Sequence, residues 1–125
     1  MSLKRYIMSN YKINLKFDDE SNEQIVNFIK AEIRKNTEIK SITGIKYEIT
    51  SVDTFHIEYI GENRNNGNTE TISYENIKSV IKILKELKYF NTGNKILKSE
   101  IPNNIYKKRS PLFAILLAAN IIAKV

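Results

Sequence analysis

Lys107-Lys108-Arg109-Ser110 places three cations directly ahead of Pro111, where the pattern reads as the start of a helix. Cationic side chains combined with the unbonded N–H groups of a first helical turn suit an anion such as phosphate. Basic residues there also oppose the helix dipole, so the arrangement is mildly unfavourable unless a partner compensates. A second basic set, Lys78, Lys82 and Lys85 at i, i+4 and i+7 with Lys88 close behind, is opposed only by Glu86. Such a ridge could follow a phosphate backbone, each neutralised phosphate adding a salt-dependent increment to affinity; the alternative is the solvated face of an amphipathic helix. Tyr89 and Tyr106, each beside lysines, are the rings available to stack on an unpaired base.

Composition removes most other chemistry. The chain has no cysteine, which excludes disulfide scaffolds, thiolate metal sites and thiol nucleophiles. One histidine, His56, excludes any site built on two imidazoles; on a strand it should point away from the core beside Glu58. The four glycines, Gly44, Gly61, Gly67 and Gly93, are scattered and form no phosphate-binding loop. No catalytic residue, metal or cofactor is therefore expected. A formal net charge of +6 fits a polyanionic partner without singling one out.

Two partial patterns suggest a nuclease. Gly44-Ile45-Lys46 and Tyr59-Ile60-Gly61 resemble the half-motifs of the GIY-YIG nuclease family, which lie on adjacent strands of a small α/β domain. Lys46 stands where that family has its first tyrosine, and an Asn-rich loop with Arg64 follows where the family has a helix carrying a catalytic arginine. Asp18 or Asp19 with Glu38-Ile39-Lys40 could instead supply the carboxylates and lysine of a magnesium-dependent nuclease, although Glu38 and Lys40 read as loop.

The elements that must carry these residues follow from apolar spacing. Tyr11, Ile13, Leu15 and Phe17 alternate with polar residues as a half-buried strand. Ser21 with Gln24 three residues on predicts a capped helix over 22–35, buried through Ile25, Phe28, Ile29 and Ile33. Ile45, Tyr47 and Ile49, then Phe55, Ile57 and Tyr59, predict two antiparallel strands joined over Ser51–Thr54. Residues 61–69 read as an exposed loop turning at Asn66-Gly67, with a return strand over 70–72. Ser73 caps a second helix with Ile77, Val80, Ile81, Leu84 and Leu87 inward, ending near Phe90, and 95–101 reads as a short strand. Ser110 and Pro111 read as the cap and first position of a last helix reaching Ala123.

That last helix is apolar on every side and must be buried all round. Leu112, Phe113, Leu116, Leu117 and Ile121 would then meet either the chain's own core or a second copy of it. At thirteen residues, 111–123 is too short to span a bilayer, and the N-terminus lacks a secretory apolar stretch, so a cytoplasmic location is expected. The whole predicts one α+β domain over 1–125, with 1–10 peripheral. Its antiparallel sheet has three to four strands packed by two amphipathic helices, in a layout resembling the ferredoxin-like split βαβ, with the apolar helix added at the C-terminus. The functions this favours are a non-enzymatic nucleic-acid-binding domain or a homodimerising or protein-binding module.

Overall fold

The computed structural model describes residues 10–91, 93 and 95–125; of the segment expected to be peripheral over 1–10, all but Asn10 lies outside them. Four strands, β2 (Glu38–Lys40), β3 (Lys46–Val52), β4 (His56–Gly61) and β5 (Glu70–Ser73), form an antiparallel sheet in chain order. Period-two burial fixes the inner face: Ile39, Tyr47, Ile49, Ile57, Tyr59 and Ile72 all point under the helices. The opposite face carries Glu38, Lys40, Lys46, Glu48 and Glu58 in solvent or at its margin. Neighbouring strands are consecutive in the chain, so the sheet is a meander and not the interleaved split βαβ.

Three helices cover the inner face. In α1 (Asn22–Lys35) the Ser21 hydroxyl accepts from the Gln24 N–H, as the sequence predicts, and Ile25, Ile29 and Ile33 are buried with Val26, while the expected Phe28 is only half-buried. α2 (Tyr74–Glu86) begins at Ser73, whose hydroxyl accepts from Asn76 N–H, and buries Ile77, Val80, Ile81 and Leu84. It ends before Phe90 because Phe90 exchanges two backbone bonds with Tyr11, extending a small ladder instead of a helix. That ladder pairs β1 (Tyr11–Ile13) with β6 (Ile122–Lys124), apart from the main sheet. The predicted alternation over 11–17 therefore breaks after Ile13, where Leu15–Phe17 turn as a 3₁₀ segment that leaves Leu15 69% exposed and buries Phe17.

The rest of the chain departs from the apolar spacing for local reasons. Residues 95–101 are not a strand: α3 (Lys95–Glu100) is helical, and Leu97 and Ile101, four apart, are both buried. A short turn, α4 (Asn103–Tyr106), leads into α5 (Arg109–Ala118). α5 ends five residues earlier than its apolar content suggests. Asn120 adopts φ 57°, Ile121 N–H bonds to Leu116 O (2.9 Å) and Asn120 N–H to Leu117 O (3.0 Å). This paired closure is the Schellman arrangement, with asparagine at its left-handed position, and it turns the chain into β6. Phe55, expected in the core, lies 74% exposed at the β3–β4 turn, whose Asp53 Oδ1 accepts from the N–H groups of Phe55 and His56. Those two bonds hold the Asp53 carboxyl below its usual range.

Candidate nucleic-acid interface

Around Gly61 the fold gathers residues from four elements. The loop after β4 holds Asn63, Asn65 and Asn66 at φ 54°, 51° and 54°, a conformation asparagine tolerates better than most residues. These reversals curl the loop back, so that Arg64 Nε lies 2.6 Å from Glu70 Oε2 and one terminal nitrogen 3.2 Å from Glu70 Oε1. The same nitrogen lies 3.4 Å from Lys107 O, joining the loop to the approach of α5. Gly61 is the residue that permits this path. A Cβ there would stand 2.8 Å from both Arg64 Cδ and Tyr47 Cε1.

Beneath the loop, Tyr47 donates its hydroxyl proton to Ser110 Oγ at 2.8 Å and meets Tyr59 edge to face at 5.8 Å. Ser110 is therefore a partner for the sheet and not a helix cap. α5 starts at Arg109, and Pro111 is accommodated in its first turn, where the missing N–H costs no hydrogen bond. Tyr59 is fully buried and its hydroxyl makes no well-formed hydrogen bond. Burial pushes its pKa upward, the Glu70 carboxylate adds to the rise, and the nearby Arg64 offsets only part of it.

The cations predicted to bind an anion are mostly engaged inside the chain. Lys108 Nζ donates to Thr71 O on β5 at 2.6 Å. Arg109 donates to Tyr106 O at 3.1 Å and lies over the Tyr106 ring at 4.2 Å, so that ring carries a guanidinium on one face. Both side chains reach carbonyl oxygens, which offsets the cost of placing them at a helix N-terminus. Lys107 is exposed. Along α2, Lys78 pairs with Glu23 and Glu75, whose hydrogen bonds push its pKa upward, and Lys85 donates to Glu20 O at 2.7 Å. Lys82 and Lys88 are exposed, with Lys88 Nζ 5.5 Å from the Tyr89 ring centroid.

The apolar set expected at a partner interface lies inside the subunit. Leu112 and Phe113 are 1% exposed and Leu116 and Ile121 are 0% exposed, while Leu117 is half-buried. α5 packs on β2, α1 and β6, so the chain's own core meets the need for burial all round. A cleft of about 570 Å³ lies over β2, β3 and β4 between Glu38, Lys40, Lys46, Glu48, Ile60 and Glu62. Its charge is mixed, and it contains none of the predicted anion-binding residues.

The nuclease patterns are placed as follows. Glu38–Lys40 is an edge strand and not a loop. Gly44 and Ile45 precede β3 and only Lys46 of that half-motif lies on it, whereas Tyr59-Ile60-Gly61 closes the adjacent β4; a 3₁₀ turn over Asn65–Gly67 follows, and Arg64 is paired with Glu70. Among the described residues no three acidic or imidazole groups are arranged to hold a metal ion. His56 Nδ1 lies 2.7 Å from Asp53 Oδ2, whereas the expected neighbour Glu58 accepts from Thr50 instead. No described helix is long and apolar enough to cross a membrane.

Sequence reasoning missed Gly61, Arg64 and Glu70 as one unit. The available clue is that Arg64 and Glu70 are opposite charges bracketing an Asn-rich turn. Comparison with protein-family models, with curated proteins and with solved structures finds no match.

Proposed function

We propose that the chain is a non-enzymatic nucleic-acid-binding domain whose binding side is built by its C-terminal helices. The observation that carries this reading is charge segregation. From Lys78 to Val125 there are ten Lys and Arg against two Glu, whereas from Asn10 to Ile77 there are eight against twelve Asp and Glu. The second stretch supplies the whole four-stranded sheet and α1, so the basic excess falls on the chain from the middle of α2 onward. A field of one sign over one part of a surface attracts a polyanion.

Of the cations singled out in the sequence, Lys82, Lys88 and Lys107 are the exposed ones. Three phosphate contacts imply that log affinity for a single strand falls with log salt at a slope of about −2. The test is a fluorescence-anisotropy titration with labelled single- and double-stranded DNA and RNA at several salt concentrations. Lys82→Glu with Lys107→Glu should weaken binding for all sequences and flatten the slope. Absence of binding at low salt, or a salt-independent isotherm unchanged in the variant, overturns the reading.

A further inference from the structure

Two of the ridge lysines, Lys85 and Lys88, share a groove with exposed apolar surface, which the reading above does not use. The groove, about 250 Å³, runs between the C-terminal end of α2 and the 3₁₀ turn after β1. Lys12, Lys85 and Lys88 line it, with Asp18 the only opposing charge among the described residues that line it. Leu15 and Tyr89 also line it, and they are among the most exposed large apolar residues, at 69% and 44%. Lys88 Nζ stands 5.5 Å from the Tyr89 ring centroid, and Lys85 is anchored by its bond to Glu20 O.

We infer that this groove is a subsite for an unpaired nucleotide, with the base against Tyr89 and Leu15 and the adjoining phosphates near Lys12 and Lys88. The inference rests on the nucleic-acid reading and adds to it a preference for single strands. In a duplex the base faces are already stacked on one another, so an exposed ring has nothing to receive; an unpaired base offers a face that stacks whatever its identity. One exposed ring with cations beside it suits a base and its flanking phosphates. An acidic peptide would satisfy the lysines but supplies no flat group at each charge.

The full-length chain is titrated with a labelled oligouridylate or oligothymidylate of about twelve nucleotides, within the span such grooves cover, and with a duplex of the same length. Tyr89→Ala should weaken single-strand binding by about fivefold or more, the lower bound for losing one stacked base, while duplex binding stays within about twofold. Tyr89→Phe keeps the ring and should bind as the wild type does, which separates stacking from a folding defect. Lys88→Ala should reduce the salt slope by about one. Unchanged single-strand affinity in Tyr89→Ala, with salt-dependent binding otherwise intact, overturns the subsite alone. Competition by poly-glutamate as effective as by the oligonucleotide at equal charge also overturns it. Failure of every nucleic acid to bind at low salt overturns the underlying reading as well.

Discussion

Truncating Leu116 distinguishes a helix buried in its own subunit from a helix that seals a dimer. Leu116 lies in the last turn of α5, is 0% exposed, and contributes its backbone carbonyl to the closure at Ile121. Alanine keeps that carbonyl and removes only the packed side chain. Leu→Ala at a fully buried site costs about 2–5 kcal/mol, out of a total near 5–15 kcal/mol for a domain. With a urea dependence of about 1–3 kcal/mol/M, the unfolding midpoint should fall by about 1–2 M. Circular dichroism at two protein concentrations about a hundredfold apart then reads the mechanism, since only assembly makes stability depend on concentration. The expected result is one drop, equal at both concentrations. A wild-type midpoint that rises with concentration, and a Leu116→Ala chain that stays folded but loses the rise, would refute the internal placement.

Gly61→Ala should lower stability by about 1–3 kcal/mol by thermal denaturation, because its Cβ would meet Arg64 Cδ and the buried Tyr47 ring, both at 2.8 Å. Tyr59→Phe should be neutral to stabilising at pH 7, since it removes a buried hydroxyl without a well-formed partner. The same variant should resist alkali better than the wild type. The raised pKa of Tyr59 means its contribution is full below the unfolded value of about 10 and declines above it, as the unfolded chain ionises first. Melting temperatures from pH 7 to pH 11 check both statements, and parallel wild-type and variant curves would contradict the second.

Legibility followed the length and the ends of each element. The α1 boundaries and its Ser21 cap could be read directly, because a capping pair and four apolar residues on one stripe agree. The same holds for the start of α2 at Ser73. Three-residue strands are beyond such reading: β2 offers only Ile39 between two charges, and β1 and β6 depend on each other across the whole chain. Leu97 and Ile101 are four apart, a helical spacing, but two residues in a seven-residue segment closed by Pro102 do not decide between helix and strand. α5 shows the opposite failure. Its apolar residues run on past Ala118, and the stop is made by Asn120, a residue whose left-handed tolerance is weaker than glycine's and easily passed over.

At the site, the residue types were legible and their availability was not. A lysine in a sequence counts as a free cation, yet in the fold Lys108, Arg109 and Lys85 each reach a backbone carbonyl and Lys78 reaches two carboxylates. A carbonyl acceptor has no sequence signature, since every residue supplies one, so no spacing rule could have predicted which cations would be retained inside. On the nucleic-acid reading proposed above, the basic segment divides its labour. The engaged cations fix α5 to β5 and α2 to the turn before α1, and the exposed ones carry the net charge outward. Replacing an engaged cation should therefore cost stability first and affinity second, whereas replacing Lys82, Lys88 or Lys107 should cost affinity alone.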